Sequence, residues 1–86
     1  KDIHAENTIS VYPNPFSDKC YISVKGIDQS ENLTITIYDI LGNLVFSKKS
    51  NPSPLITIDR NNLSAGTYFL VLTNNRPTVR KKLIIE

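Results

Sequence analysis

The chain has 86 residues, 40% of them hydrophobic, and a formal net charge of +2. This length predicts one small domain, and so small a charge gives no support to binding of nucleic acid or of a membrane surface. The single cysteine excludes an internal disulfide, and no apolar run approaches the roughly 18 residues of a membrane-spanning helix.

The first segment predicts a short strand followed by an extended stretch outside the sheet interior. Apolar and polar residues alternate over residues 9–11. Pro13 and Pro15 each fix φ and lack a main-chain donor, so this stretch is excluded from a central strand. The pairs Asn14-Pro15 and Ser17-Asp18 favour a turn.

Two strands with a clear period of two follow. Lys19–Lys25 turns Cys20, Ile22 and Val24 to one face. Residues 33–38 alternate in the same way, with aliphatic side chains on one face and threonines on the other. Because Cys20 shares the apolar face of its strand, we expect it to be a small buried hydrophobic residue.

The middle of the chain predicts a hairpin and a further strand. Residues 39–43 have the length of a hairpin connection, with Gly42 at a position of positive φ. Residues 44–49 form the returning strand, and Leu55–Asp59 forms the next. Leu63 lies in an otherwise polar stretch, and we expect it to pin that loop onto the core.

The last two strands differ in pattern. Gly66–Thr73 is almost unbroken in its apolar character, which predicts a central strand covered on both faces. Residues 78–86 predict a strand that pairs to the very end of the chain. Its inward-facing positions are Val79, Leu83 and Ile85. Lys81 shares their phase, and an inward lysine is costly unless it lies at a sheet edge, a bulge or a recognition site.

These elements together predict the architecture. No segment shows a sustained helical period, and turn signals recur every eight to twelve residues. We therefore expect an all-β domain, a two-sheet antiparallel, immunoglobulin-like sandwich of about seven short strands.

The residues that carry chemistry are sparse. His4 is the only histidine and Cys20 the only cysteine, so neither a zinc set nor an accessible nucleophile–base pair is expected. Residues 28–32 supply oxygen ligands but lack the residue order of a calcium loop. The sequence predicts no catalytic residue, no cofactor and no metal, and hence no enzyme.

Arg80-Lys81-Lys82 is the strongest charge cluster, and Lys48-Lys49 is a candidate neighbour. One interpretation is a solvated face that protects a sheet edge against aggregation. The other is a docking patch for an acidic partner. The residues alone leave both interpretations open.

Four tyrosines suggest a second kind of surface. Tyr12, Tyr21, Tyr38 and Tyr68 are candidates for a carbohydrate-stacking platform, and the outward phase of Tyr21 and Tyr38 would allow them to be neighbours. Cross-strand aromatic pairs are also ordinary stabilisers of a sheet. The second explanation requires no ligand.

Four phrases, in order, resemble one known family. They are VYPNPF at 11–16, YDILGNLV at 38–45, LSAGTYFLVL at 63–72 and TVRKKLIIE at 78–86. Together they resemble the type A C-terminal sorting domain of the type IX (Por) secretion system of Bacteroidetes, over nearly the whole chain. The combination is more specific than any phrase alone.

The resemblance assigns roles to individual positions. It implies structural motif residues at Pro13, Asn14, Pro15, Tyr38, Asp39 and Gly42. It implies sorting and recognition residues at Gly66, Tyr68, Lys81, Lys82, Leu83, Ile84, Ile85 and Glu86. The acid Glu86 stands where many relatives close with a basic residue.

The same resemblance implies the function. Residues 1–8 would be a linker from an upstream cargo domain, and residues 9–86 the sorting domain; the start at Lys1 also suggests a piece of a longer protein. The implied partners are the type IX translocon and a sortase-like cell-surface protease that removes the domain. The implied location is the cell surface or medium, reached through the periplasm and outer membrane. The competing interpretation is an accessory adhesion or carbohydrate-binding module, since one fold hosts many functions.

Overall fold

The structure, a computed structural model, describes residues 8–25, 32–51, 55–73 and 79–86. Within these ranges all regular structure is β-strand. The strands are β1 (Thr8–Tyr12), β2 (Lys19–Lys25), β3 (Leu33–Asp39), β4 (Leu44–Ser50), β5 (Leu55–Asp59), β6 (Gly66–Thr73) and β7 (Val79–Ile85). His4, residues 28–31 and most of the predicted linker lie outside the described residues.

The strands form two antiparallel sheets. One sheet has three strands in the order β1-β2-β5, and the other has four in the order β4-β3-β6-β7. The predicted two-sheet antiparallel sandwich is therefore confirmed. β4 and β7 are the two edges of the larger sheet, with β3 and β6 between them.

Period-two alternation places the core between the sheets. In β3 every second residue is buried, and β2 behaves in the same way. The core comprises Ile9, Phe16, Cys20, Ile22, Val24, Leu33, Ile35, Ile37, Ile56, Ile58, Tyr68, Leu70, Leu72, Leu83 and Ile85. Cys20 is 0% exposed, as its phase predicts, and Leu63 packs against this core as expected.

The prediction that Gly66–Thr73 is covered on both faces is wrong. This strand, β6, is central in its sheet, but its outward residues Phe69 and Val71 are only half-buried. Both residues line an open depression on the outer face of the sheet. The apolar run therefore reflects a central strand with one apolar outer face.

Two predicted neighbourhoods are also wrong. Tyr12 pairs with Tyr21 on the outer face of the three-stranded sheet, with ring centroids 6.0 Å apart. Tyr38 lies on the outer face of the other sheet, and Tyr68 is buried, so the four tyrosines form no platform. Phase tells whether a residue faces inward but does not tell which sheet carries it.

The two basic segments, predicted as candidate neighbours, lie far apart in the sheet. Lys48-Lys49 lies on β4 and Arg80-Lys81-Lys82 on β7, at opposite edges of one sheet. β3 and β6 separate the two basic segments. They therefore do not form one patch.

Candidate functional site

The candidate site is β7, and its inner edge pairs with β6. The register places Gly66 opposite Ile85 and Tyr68 opposite Leu83. The sorting residues implied for β6 and β7 are thus brought together as cross-strand neighbours. Tyr68 is fixed further by a hydrogen bond of 2.7 Å from its hydroxyl to the Ser64 carbonyl.

The outer edge of β7 is covered over its last residues by the segment at 14–16. Phe16 donates its N–H to the Ile84 carbonyl at 3.0 Å, and its own carbonyl accepts from the N–H of Glu86 at 2.8 Å. A parallel bridge joins Phe16 to Ile85, and the Phe16 ring is buried in the core. Phe16 is therefore a short partner of the last strand, and the chain bends on either side of it, at residues 13–15 and 17–18.

Asn14 continues this pairing with its side chain. Its Oδ1 accepts from the N–H of Ile84, and its Nδ2 donates to the Lys82 carbonyl, each at 3.0 Å. The carboxamide offers one donor and one acceptor, so it replaces a main-chain unit of a neighbouring strand. Since Pro13 and Pro15 on either side lack an N–H, the side chain provides a donor that these residues cannot.

A short part of the outer edge stays open. Ile84 directs both its N–H and its C=O away from β6. In an antiparallel strand, residues two positions apart direct their main-chain groups to the same side. The N–H and C=O of Arg80 and the N–H of Lys82 therefore also face outward. Among the residues that the structure describes, none pairs with β7 at these groups.

Arg60 holds the end of β7 against two loops. Its Nη1 donates to the main-chain oxygen of Glu86 at 2.8 Å and to the Ser17 carbonyl at 3.0 Å. Its Nε donates to the Leu63 carbonyl at 2.9 Å. This role was not predictable from the sequence, because a single arginine in a polar loop carries no periodic signal.

The side chains of β7 divide into buried and exposed sets. Leu83 and Ile85 are buried in the core, and Ile84 is half-buried. Lys81, Lys82 and Glu86 are exposed. A partner that meets the folded domain can reach the charged set and part of Ile84, but not Leu83 or Ile85.

The side chain of Lys81 is not buried, although the alternation of β7 directs it toward the core. It lies opposite Leu70, which is 1% exposed, yet Lys81 itself is exposed. β7 is an edge strand, so the long side chain reaches solvent past the rim of the sheet. The sheet edge is therefore what permits the lysine in this phase.

The β3–β4 hairpin is fixed by Asp39. Its Oδ1 accepts from the N–H groups of Leu41 and Asn43, both at 2.9 Å, and Oδ2 accepts from Asn43 Nδ2 at 3.2 Å. The hydrogen bond from the Asn43 main chain, above all, lowers the pKa of Asp39. Gly42 has φ of 90°, as predicted from its place in the turn.

The four phrases meet at one end of the sandwich. The β3 end at Asp39 pairs with Tyr68, and the β6 start at Gly66 pairs with the end of β7. Asn14 and Phe16 border the same stretch of β7 from the other side. Residues far apart in sequence thus form one contiguous region.

Features associated with chemistry are weak in the described part of the chain. No cluster of three or more His, Cys, Asp or Glu residues suited to a metal is found among the described residues. Burial raises the pKa of the Cys20 thiol to about 11, so the thiol is protonated at neutral pH and a poor nucleophile. None of the described residues belongs to a helix that could cross a membrane.

Two solved structures share the fold. One is a DUF3244-family protein from Bacteroides vulgatus with an immunoglobulin-like β-sandwich fold. The match covers 100% of this chain and 92% of the Bacteroides chain, with 21% sequence identity and a TM-score of 0.76. The other is dimeric latent PorU from Porphyromonas gingivalis. The match covers 90% of this chain and 9% of the PorU chain, with 22% sequence identity and a TM-score of 0.71. The immunoglobulin-like sandwich is thereby confirmed.

Sequence relatives are much longer proteins. An endo-acting ulvan lyase of Formosa agariphila is 37% identical over 79 residues, covering 91% of this chain and 15% of the lyase. An ulvan lyase of Nonlabens ulvanivorans is 32% identical over 80 residues, covering 92% of this chain and 14% of that lyase. The chain thus spans about one-seventh of the length of either lyase.

The family itself is given by a match over nearly the whole chain. Residues 10–86 match the family described as the secretion system C-terminal sorting domain. The resemblance to the Por sorting domain is confirmed. The chain therefore belongs to the secretion system C-terminal sorting domain family, and it is a sorting signal and not an enzyme.

Proposed function

We propose that this domain directs a cargo in the same polypeptide across the outer membrane through the type IX translocon, which reads β7. One observation carries the proposal. β7 is paired on both edges by other motif segments, and only a short open edge at Arg80 and Lys82 and the charged side chains remain accessible. Packing alone does not require three successive basic residues on this strand.

Two modes of contact fit this surface. A partner carboxylate can make charge-assisted hydrogen bonds to Lys81 and Lys82, which are stronger than neutral ones. An extended partner segment can add to the open edge by β-augmentation at Arg80 and Lys82. Because the segment at 14–16 covers the rest of the edge, the added segment can be only two or three residues long.

The proposal also includes the steps before and after recognition. Residues 1–8 connect the domain to the cargo, and a sortase-like cell-surface protease removes the domain after passage through the periplasm and outer membrane. The match to only 15% of a much longer lyase supports a cargo in the same polypeptide. The mature protein is then located at the cell surface or in the medium.

The test is a reporter fusion that also examines the competing module interpretation. A periplasmic reporter with a signal peptide is expressed in a type IX-competent bacterium, with and without residues 1–86 at its C-terminus. Sorting predicts surface or extracellular reporter only with the domain attached. An adhesion or carbohydrate-binding module predicts a periplasmic reporter in both cases.

A further inference from the structure

The outer face of the four-stranded sheet carries an open depression beside the β3–β4 hairpin. It has a volume of about 790 Å³, and its lining includes Tyr38, Ile40, Phe69, Val71 and Arg80. The register explains the grouping, because Tyr38 lies opposite Phe69 and Val71 lies opposite Arg80 on one face. The half-buried outer face of β6 therefore forms the floor of this depression.

The adjoining hairpin tip exposes large apolar side chains. Ile40 is 69% exposed, Leu41 82% and Leu44 56%. The Asp39 hydrogen bonds hold the main chain of the tip in shape, so these side chains project from a defined turn. Contiguous exposed apolar surface of this kind marks an interaction site.

The charges around the depression have one dominant sign. The Arg80 guanidinium lies 5.8 Å from the centroid of the Phe69 ring, and Lys82 pairs with Phe69 on the same face. Asp39 also lines the depression, and its carboxylate, which accepts from the hairpin amides, stays negative there, so the two basic side chains exceed it by one charge. The rim therefore favours an acidic partner around an apolar centre.

We propose that the hairpin surface, formed by Tyr38, Ile40, Leu41, Phe69 and Arg80, is a docking surface for a protein with an apolar side chain ringed by carboxylates. The apolar side chain enters the depression, and the carboxylates meet Arg80 and the neighbouring lysine. The inference rests on the proposed function, since the partner is the outer-membrane translocon that reads β7. It extends recognition from the edge of β7 across the sheet to the hairpin.

Two other occupants fit less well. A second copy of this chain packed symmetrically on the hairpin surface would bring Arg80 and Lys82 close to the same residues of its partner, and like charges repel. A membrane could take up the exposed hairpin tip, but it could not reach Phe69 and Val71, which are half-buried on the floor of the depression. Both remain outcomes of the experiment.

The experiment compares variants of residues 1–86 that alter this surface with matched variants that do not. The apolar variant is Ile40→Ser/Leu41→Ser, and its control is Leu55→Ser, which changes a leucine that is 49% exposed on the other sheet. The charge variant is Arg80→Glu, and its control is Lys48→Glu at the opposite sheet edge. Circular dichroism first establishes that each variant is folded.

Binding is measured to detergent-solubilised, purified type IX outer-membrane translocon, and export of the matching reporter fusion is measured in parallel. We expect binding at least tenfold weaker for both surface variants and within twofold of the original for both controls. Salt should weaken binding of the original domain more than that of Arg80→Glu.

Two results overturn the inference in different ways. If the original domain binds and is exported, and the surface variants do the same, the hairpin surface is not used and the proposed function stands. If the original domain neither binds nor is exported, both proposals fail. A third result would assign the surface to another occupant and so overturn the inference. The surface variants alone would then lose self-association, measured by sedimentation, or lose binding to phosphatidylethanolamine–phosphatidylglycerol vesicles.

Discussion

The side chain of Asn14 accepts a hydrogen bond of 3.0 Å from the N–H of Ile84, although 70 residues separate the two. The same carboxamide donates to the Lys82 carbonyl. The first motif of the domain thus completes the edge of its last strand. Asn14 therefore helps to hold in place the strand that we propose is recognised.

We expect Asn14→Ala to lower the free energy of unfolding by about 1 kcal/mol, because two hydrogen bonds at an exposed edge are lost. The free energy of unfolding of Asn14→Asp should lie between those of Asn14→Ala and the original domain, because a carboxylate accepts from the Ile84 N–H but cannot donate to the Lys82 carbonyl. Chemical denaturation measures the change, and hydrogen exchange at the Ile84 amide should accelerate. Asn51→Ala, at an exposed loop position, is the control. Equal stability of Asn14→Ala and the original domain would contradict this role.

Asp39→Asn should weaken the hairpin in a pH-dependent way. Hydrogen bonds lower the pKa of Asp39 in the folded state, and the bond from the Asn43 main chain has the largest effect. The stabilisation is therefore complete above the unfolded pKa of about 3.9 and is lost as the pH falls through the lower folded value. The stability difference between the two proteins should be constant above about pH 5 and shrink below pH 4. Exchange of the Leu41 and Asn43 amides checks the site; a difference independent of pH would refute the assignment.

Cys20 should make stability fall at alkaline pH. Burial raises the folded pKa of its thiol to about 11. The thiol of the unfolded chain ionises near pH 8.5, so the stabilisation is complete below that pH and is lost as the pH rises toward the folded value. Relative to Cys20→Ala, the original domain should lose about 2 kcal/mol between pH 8 and 10. Parallel stability curves over this range would show that the thiol is accessible in the folded state.

Much of the fold was predictable because alternation is a local signal. The bounds of Lys19–Lys25, Leu55–Asp59 and Gly66–Thr73 match the structure. The pairing of Asn14 with β7 was not predictable, because a side chain that replaces a main-chain unit leaves no periodic pattern. The contacts of Arg60 were not predictable for a similar reason, since its acceptors are main-chain oxygens and two of them, in Ser17 and Glu86, are distant in the sequence.

The candidate site divides in the same way. The basic residues and closing strand of β7 were visible in the sequence, and the structure confirms the strand. Its three-dimensional surroundings were not, because they depend on which strands are neighbours. Period-two phase gave Tyr21 and Tyr38 the same outward direction, although they lie on different sheets. The role of Lys81 and Lys82 in recognition remains a prediction.

Lys81→Ala/Lys82→Ala should reduce export severalfold with little effect on folding. Both side chains are exposed, and exposed charges typically contribute less than about 1 kcal/mol to stability. Export of a fused reporter and the thermal midpoint of the isolated domain are the measurements. Lys48→Ala/Lys49→Ala, at the opposite sheet edge, controls for loss of positive charge. A folded β7 variant that is exported at the normal level would leave these lysines as edge protection alone.

We propose above all that this domain is an address read by the type IX system. The most direct measurement is the fraction of a reporter fused to residues 1–86 that reaches the cell surface or medium, compared between a type IX-competent strain and an isogenic strain lacking the translocon. We expect the reporter at the cell surface or in the medium of the first strain and in the periplasm of the second. Equal surface delivery in both strains would contradict it.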